Sequence, residues 1–407
     1  MKTQKFYLFP HIYYATNSKN EILLYNTKNG EHLIFKSLEI KNIIEEMYNP
    51  QNLGAVDLSE KYIENKETQN YIDLIVQRDF GKIVELRDDL KFINLLPVLN
   101  LQDDIEKLKR DSEHEIGENA IRYLNELNIY INQDCKQNCT YCQKYYRQIN
   151  SCFKTNDKAE ISIQKLHEIF EQLQYSQLKN VNILGGNVLA YSHLEELLKL
   201  AKNYDFIFHF WVHFLNINGK EKILFPHFQE IIITFPLDTQ KIINFVLSQN
   251  NNEKNTYHFF IENQMQYAQT EDIISQTGIT KYQIKPIFTG ENLAFFEDNV
   301  FLKQEDIFDS VVEQRTIFSN QKLNSNFFGK LFVLPNGNVK ANINSDILGN
   351  IFENSVIELI TKELTANSAW YKTRNEKPCS DCLYQFLCPP PSNYETVIGK
   401  TNLCIIE

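Results

Sequence analysis

The segment of the sequence with the clearest chemical potential is CKQNCTYCQKYY, which begins at Cys135. It places Cys135, Cys139 and Cys142 on one loop at C-x3-C-x2-C spacing. A structural zinc ion takes four protein ligands, and three thiolates from a single loop do not supply them. Three thiolates can instead hold three irons of a four-iron cluster and leave the fourth iron open to another ligand. The spacing therefore predicts an iron–sulfur site with one open position.

The eight cysteines of the 407-residue chain fall into two groups of four. The groups are Cys135, Cys139, Cys142 and Cys152, and then Cys379, Cys382, Cys388 and Cys404. The N-terminal sequence MKTQKFYLFPHIYY lacks the pattern of a secretion signal, so we expect a cytoplasmic protein with reduced thiols. Metal or redox chemistry is therefore favoured over a disulfide framework.

Two of these features allow alternative interpretations. Cys152 lies ten residues after Cys142, and it is either a buried free thiol or the ligand of the fourth iron. The C-terminal group has the spacing C-x2-C-x5-C-x15-C. Its four thiolates suit an iron–sulfur cluster, which we favour, but they also suit zinc.

The composition excludes some classes of protein. The chain has 41 basic and 52 acidic residues, and this net charge of -11 argues against a general nucleic-acid-binding protein. No apolar run approaches the length that spans a membrane. The hydrophobic fraction of 43% is ample for a core, and the length predicts two or three domains.

Residues 1–90 are predicted to form a small domain of their own. The stretch EILLYNTKNGEHLIF predicts a β-hairpin around a Lys-Asn-Gly turn. Helices are expected over Ile40–Met47, near Ser59 and over Tyr71–Arg78, with Gly81 as the stop before a strand in GKIVEL. This winged-helix-like pattern suits either a packing domain or a docking module, in which a peptide extends the hairpin edge beside the third helix.

The central part of the chain alternates between strands and helices. Residues 91–124 are predicted to be a helical linker, and residues 125–310 an α/β domain. Its predicted strands are ELNIYIN, NVNILGG, FIFHFWVHF, EIIITF, YHFFIE and YQIKPIF, with amphipathic helices between several of them. This alternation predicts parallel β/α units and an open or partial (β/α) barrel.

Chemistry in such barrels sits at the carboxyl ends of the strands. Cys135 follows the first of these strands, and Gly185-Gly186-Asn187 follows the second, so we expect both motifs at one mouth of the barrel. In FIFHFWVHF, one face is entirely apolar and suits the helix layer. The other face carries His209, Trp211 and His213 and suits the lumen, where the histidines are more readily explained as hydrogen-bonded core residues than as ligands.

The first cysteine group resembles the signature of the radical S-adenosylmethionine (SAM) superfamily. Besides the spacing, Tyr141 precedes the third cysteine and Gly185-Gly186 follows the second strand, where that superfamily has a Gly-Gly-Glu motif. The resemblance implies a [4Fe-4S] cluster on the three cysteines and SAM on its open iron. It also implies SAM contacts from Gly185, Gly186 and Asn187, with Tyr141 near the adenine. Asn187 stands where the superfamily has Glu, and an amide brings no charge to that contact.

Residues 311–407 resemble the SPASM extension of radical SAM peptide maturases. Ser392 stands where a further cysteine is usual, and the hairpin predicted around Gly337 carries none. The remaining ligands match one auxiliary [4Fe-4S] cluster, implied on Cys379, Cys382, Cys388 and Cys404.

The order of these segments resembles the pseudo-radical-SAM partner proteins of peptides with double-glycine leaders. The resemblance implies maturation of a ribosomally made precursor peptide, with residues 1–90 binding its leader and a second radical SAM maturase as a further partner. Two hypotheses follow. The first, which the intact three-cysteine loop favours, is a radical SAM peptide maturase that cleaves SAM reductively. The second is a catalytically silent iron–sulfur scaffold. The sequence identifies no catalytic acid, base or radical donor.

Overall fold

The computed structural model describes most of the chain and has a mixed α/β architecture. The described residues are 4–58, 65–85, 91–97, 120–142, 145–152, 159–224, 226–249, 252–366 and 369–406. Among the helices of this described part, none is both long and apolar enough to cross a membrane. Most of the predicted linker, residues 98–119, lies outside the described residues.

In its described residues, the N-terminal part contains two three-stranded antiparallel sheets and two helices. The elements are β1 Gln4–Leu8, β2 Ile12–Thr16, β3 Glu21–Asn26, β4 His32–Lys36, α1 Leu38–Met47, β5 Ala55–Asp57, α2 Lys66–Gln77 and β6 Gly81–Glu85. One sheet has the order β5-β1-β6 and the other has the order β2-β3-β4. The pairing of β3 with β4 confirms the predicted hairpin.

The helices of this part begin at polar caps and pack through the predicted apolar positions. Ser37 caps α1 and Asn65 caps α2 through their side-chain oxygens. The prediction that Gly81 stops the last helix is wrong, because α2 ends at Gln77 and Gly81 begins β6. A Cβ at Gly81 would lie 2.5 Å from the carbonyl oxygen of Tyr7, so glycine allows β6 to approach β1. The helix predicted near Ser59 lies outside the described residues, and the winged-helix-like assignment stays a prediction.

The largest element is a nine-stranded sheet in which six consecutive strands run parallel in chain order. These are β7 Glu126–Tyr130, β8 Asn180–Leu184, β9 Ile207–His213, β10 Phe228–Thr234, β11 Asn255–Ile261 and β12 Tyr282–Pro286. They coincide with the six strands predicted from the sequence. The intervening helices are α3 Ile163–Leu173, α4 Leu194–Ala201, α5 Thr239–Ser248 and α6 Gln264–Thr277.

The C-terminal part joins this sheet at its other edge. The remaining elements are α7 Leu293–Val300, α8 Gln304–Phe308, α9 Gln314–Lys322, β13 Lys330–Val333, β14 Asn338–Lys340, β15 Gly349–Asn350, α10 Val356–Ala366 and α11 Asn393–Ile398. The predicted hairpin around Gly337 is β13–β14, and β13 pairs in parallel with β7. The proposed boundary at residue 311 therefore falls between elements that share one sheet, and the domain limits stay predictions.

Strand β9 has the two faces that its sequence predicts. Phe208, Phe210 and Val212 are buried in the main hydrophobic core, where the Phe208 ring meets Phe170 of α3 edge-on at 5.5 Å. His209, Trp211 and His213 lie on the opposite face, where polar residues of neighbouring strands line the concave side of the sheet. The Trp211 indole N–H donates to Asn182 of β8 at 3.0 Å.

A buried carboxylate links three strands on this concave side. Glu230 of β10 accepts hydrogen bonds from His209 Nδ1 at 2.8 Å and from His258 Nε2 at 2.6 Å. Burial alone would raise the pKa of Glu230, but the two histidine contacts outweigh it and lower this pKa to about 2. Burial also lowers the pKa of His258. At neutral pH the carboxylate is therefore ionised and accepts from the neutral imidazole of His258.

The packing of the N-terminal part brings it into contact with the cysteine-rich end of the chain. Leu23 and Tyr25 of β3 belong to one hydrophobic cluster with Tyr384 and Leu387, while the other face of the same sheet packs on α1 and α2. The backbone N–H of Ser18 donates to Oδ1 of Asp381 at 2.8 Å. The sheet β2-β3-β4 is therefore held between its own helices and the C-terminal cysteine loop.

We predict that Glu230→Gln destabilises the protein by about 1–3 kcal/mol at pH 7, because a charge-assisted buried acceptor is lost. In the wild type, the carboxylate contribution is complete above pH 4.5 and is lost as the pH falls towards 2. His258 adds to this loss, since the unfolded chain takes up its proton from pH 6.5 downwards, before the folded chain does. Urea unfolding from pH 7 down to pH 2 measures both effects.

Glu353→Gln is the matched control, because Glu353 is an exposed carboxylate. Equal unfolding free energies for the two variants at pH 7 would contradict a stabilising role for Glu230.

Candidate metal centres

The ends of β7 and β8 are joined by a close backbone contact that only glycine permits. Gly186 N–H donates to the carbonyl oxygen of Asn132 at 3.0 Å. A Cβ on Gly185 would overlap Oδ1 of Asn132, and a Cβ on Gly186 would lie 2.5 Å from the carbonyl oxygen of Asp134. The double glycine therefore lies directly against the backbone that leads into Cys135, as the strand-end argument predicted.

Asn187 is bound into this contact by its backbone and its side chain. Its N–H donates to Oδ1 of Asn132 at 3.2 Å, and its carbonyl oxygen accepts from Nδ2 of Asn132 at 2.8 Å. Its own Oδ1 accepts from the N–H of Leu189 at 3.2 Å, so it caps the short 3-10 helix Val188–Ala190. In this position Asn187 has a local structural role, and its side-chain oxygen is already engaged by the backbone.

The cysteine loop packs as a turn around a buried tyrosine. The N–H of Cys142 donates to the carbonyl oxygen of Cys139 at 3.0 Å. Between them, Tyr141 is buried and meets the ring of Phe260 edge-on, with centroids 5.2 Å apart. Cys139, Cys142 and Cys152 all pack against the cluster that contains this tyrosine. The Tyr141 hydroxyl faces inward, 3.9 Å from the sulfur of Cys152.

Cys152 lies with the three cysteines of the motif. Burial raises the pKa of its thiol, and the nearby thiols of Cys142, Cys135 and Cys139 raise it further. The pKa of Cys139 is raised by burial as well, and Cys135 adds to this shift. The structure thus brings Cys139, Cys142 and Cys152 to one hydrophobic pocket around Tyr141.

His213 connects the cysteine loop to the concave side of the sheet. Its Nδ1 accepts from the N–H of Leu215 at 3.2 Å, so the ring proton is on Nε2. Nε2 lies 3.1 Å from Oγ1 of Thr234 and 3.5 Å from the sulfur of Cys139. Burial lowers the pKa of His213 to about 4, so the ring is neutral at pH 7. It is a hydrogen-bonded core residue, as expected, and it also offers an N–H to Cys139.

The C-terminal cysteines gather around a buried arginine. Burial is the largest cause of the raised pKa of Cys388, which is about 12. The thiols of Cys382, Cys404 and Cys379 also raise this pKa. Arg374 Nη1 lies 3.8 Å from the sulfur of Cys379. A guanidinium at this distance stabilises thiolate charge in a site that is otherwise poorly solvated.

Arg374 is held in place by two further contacts. Its Nη2 pairs with Oε1 of Glu395 at 2.9 Å, and its Nε donates to the carbonyl oxygen of Pro389 at 2.5 Å. Glu395 also accepts from Ser392, which caps α11. Ser392, at the position of the missing cysteine, therefore caps a helix. Sequence analysis did not single out Arg374, because it belongs to no spacing pattern and only its burial among the thiols marks it.

A zinc ion and a four-iron cluster require different arrangements of the four thiols. A single zinc ion needs its ligands converging on one point at about 2.3 Å from each sulfur. Within the described ranges, no three cysteine, histidine or carboxylate side chains are arranged to hold one ion. In a four-iron cluster each thiolate binds a different iron, which needs sulfurs that are neighbours without converging. The iron–sulfur assignment of both groups stays a prediction.

Backbone and amide donors complete the C-terminal group. The N–H of Tyr384 lies 3.4 Å from the sulfur of Cys382, and Nδ2 of Asn402 lies 3.0 Å from the sulfur of Cys404. Hydrogen bonds to sulfur are one of the means by which a protein adjusts the reduction potential of an iron–sulfur cluster. The second group therefore offers four thiols, one cation and two neutral donors within residues 374–404.

No family model matches the chain. The solved structures to which it is similar include two of SuiB and one of anSMEcpe. One is Streptococcus suis SuiB bound to S-adenosylmethionine, at 14% identity over 94% of each chain with a TM-score of 0.46. SuiB bound to the precursor peptide SuiA gives 14% identity, 94% of each chain and a TM-score of 0.45. The enzyme anSMEcpe with bound AdoMet gives 12% identity over 68% of this chain and 92% of that one, with a TM-score of 0.44. At these values the similarities assign no ligand or catalytic residue here.

We predict that Arg374→Gln lowers the iron bound at the C-terminal group, because four neighbouring thiolates lose their nearest cation. It also leaves Glu395 as a buried unpaired charge, a change that costs about 3–5 kcal/mol. Iron and sulfide content after anaerobic reconstitution measures the first effect, and urea unfolding measures the second.

Arg374→Lys keeps the charge without the forked geometry and should fall between the wild type and Arg374→Gln. Arg315→Gln, which changes an exposed arginine on α9, is the control for the general loss of a positive charge. Full iron content in Arg374→Gln would show that the arginine has no role in holding the cluster.

Proposed function

We propose that this protein is an iron–sulfur protein with two cluster sites that binds a ribosomally made precursor peptide during its maturation. The proposal rests on the two gathered cysteine groups and on the resemblance of the motifs to peptide maturases and their partners. The first group would hold one [4Fe-4S] cluster, and Cys379, Cys382, Cys388 and Cys404 would hold the auxiliary one. Such clusters supply electron transfer, and one with an open iron supplies SAM cleavage.

The geometry favours the scaffold hypothesis over the catalytic one. The observation that carries this choice is the position of Asn187, whose side-chain oxygen accepts from Leu189 N–H and brings no charge. A ligand ammonium group would therefore lose the carboxylate contact that the Gly-Gly-Glu motif provides in the superfamily. A second radical SAM maturase would then perform the SAM-dependent step, while this chain presents the peptide.

The catalytic hypothesis is kept as the second candidate because of one specific feature. Cys135, Cys139 and Cys142 are all retained, and Gly185-Gly186 lies against the backbone that leads into their loop. This is the minimum arrangement for a cluster that binds SAM. Tyr141 contributes little to it, since its buried hydroxyl faces Cys152.

The edge of the N-terminal sheet suits the peptide. Strand β4 is the outer strand of the sheet β2-β3-β4, and its side chains alternate between exposed and half-buried. Phe35 of β4 stacks on Tyr71 of α2 with centroids 4.9 Å apart, so the edge runs beside that helix. An extended leader would add to β4 as a further strand and place alternate side chains against α2.

The scaffold hypothesis predicts that this protein does not cleave SAM. Reconstituted, dithionite-reduced wild-type protein should release no more 5′-deoxyadenosine from SAM than Cys135→Ala does. The comparison is matched because Cys135→Ala lacks one motif thiol and should bind about four irons fewer per chain. Chromatography of the nucleoside products measures the release. Turnover above that background would establish the maturase instead.

Leader binding predicts that Ile34→Pro weakens peptide affinity at least tenfold. Proline removes a backbone donor on the edge strand, and Ile34 is 41% exposed, so the core changes little. Fluorescence anisotropy of a labelled synthetic leader ending in Gly-Gly, taken from a precursor of the same organism, measures the affinity. Ile347→Pro, at another exposed isoleucine, is the control. Equal affinity for both variants would remove the β4 edge as the docking site.

A further inference from the structure

We propose that Cys152 is the fourth thiolate of the first cluster, so that Cys135, Cys139, Cys142 and Cys152 close it. This inference deepens the proposed function, since it explains how a chain with the radical SAM cysteine motif would remain silent. It assigns a ligand role to a cysteine that lies outside the C-x3-C-x2-C motif.

The first support is the packing of Cys152. Its side chain lies in the same hydrophobic cluster as Cys139 and Cys142, around Ile232, Phe260 and Ile287. The sulfur is 3.9 Å from the hydroxyl of Tyr141, a residue of the motif loop itself. Cys152 is therefore packed against the loop from the side of the sheet interior.

The second support is the surroundings of the neighbouring sulfur. Nε2 of His213 lies 3.5 Å from the sulfur of Cys139, and Oγ1 of Thr234 lies 3.9 Å from it. Cys139 packs against the same cluster as Cys152, so both sulfurs meet hydrogen-bond donors of one pocket.

The third support is the residue at position 187. A closed cluster needs no carboxylate there, and the side-chain oxygen of Asn187 instead accepts from the N–H of Leu189 and caps a turn.

The consequence is a cluster without an exchangeable position. Every iron would carry a cysteine sulfur, so no corner would remain for the amino and carboxylate groups of SAM. The cluster would be confined to electron transfer or to holding the loop in shape.

Oxidation with ferricyanide tests the assignment on the full-length reconstituted protein. One-electron oxidation of a four-iron cluster with an open corner releases Fe²⁺ and leaves a three-iron cluster, which electron paramagnetic resonance detects. We expect no three-iron signal from the wild type and about one such centre per chain from Cys152→Ala, which retains three ligands. Tyr141→Phe changes the same pocket but keeps the thiol, and it should behave like the wild type.

A three-iron signal from the wild type, or identical behaviour of the wild type and Cys152→Ala, would overturn the assignment. If Cys152→Ala does not retain a cluster, the wild-type protein alone tests whether Cys152 is the fourth ligand. Its reduced spectrum should not change on addition of SAM, and a change would mean an open iron. If the wild type released no 5′-deoxyadenosine but gave a three-iron signal, the scaffold hypothesis would stand and only the ligand role of Cys152 would be wrong.

Discussion

The close approach of two strand ends is the constraint on which the first site depends. The backbone after β8 touches the backbone after β7 through Gly185 and Gly186, and any side chain there would overlap Asn132 or Asp134. Asn132 and Asn187 then fasten the contact with reciprocal hydrogen bonds. This contact fixes where the chain leaves the sheet towards Cys135. The position of the thiols therefore follows from a steric requirement of the backbone, before any metal is considered.

Three buried regions contain groups that can carry charge: Glu230, the C-terminal cysteines and the first cysteine group. Different residues contact these groups in each region. Glu230 accepts from two histidine rings on neighbouring strands. The C-terminal thiols have a guanidinium that is itself paired with Glu395. The first cysteine group has a neutral donor, His213, and a tyrosine hydroxyl. Among the described residues, the C-terminal thiols thus contact a guanidinium, and the contacts named for the first group come from neutral donors.

The elements that sequence analysis predicted well are those with short-range signals. Alternation identified all six strands from β7 to β12, and the faces of β9 followed from a period of two. The hairpins followed from turn residues at Asn336-Gly337 and Lys28-Asn29-Gly30. These signals lie within about ten residues, where local geometry dominates.

The features that were missed depend on contacts between distant segments. Nothing in the sequence near β13 indicates that it pairs in parallel with β7, some two hundred residues earlier. Arg374 and Glu395 meet only because two loops fold over the cysteines. The sequence predicts that Gly81 stops a helix, but in the structure its missing side chain allows β6 to approach β1. The double role of Asn187, bonded to Asn132 and Leu189, was likewise visible only in three dimensions.

The contact between Ser18 and Asp381 has a thermodynamic consequence. Asp381 lies between Cys379 and Cys382, and Ser18 lies in the turn between β2 and β3 of the sheet whose outer strand is the proposed leader site. This turn would connect a filled cysteine loop to a filled sheet edge. Linkage then requires symmetry: whatever factor a filled loop contributes to the affinity of the sheet, a bound strand returns to the affinity for iron.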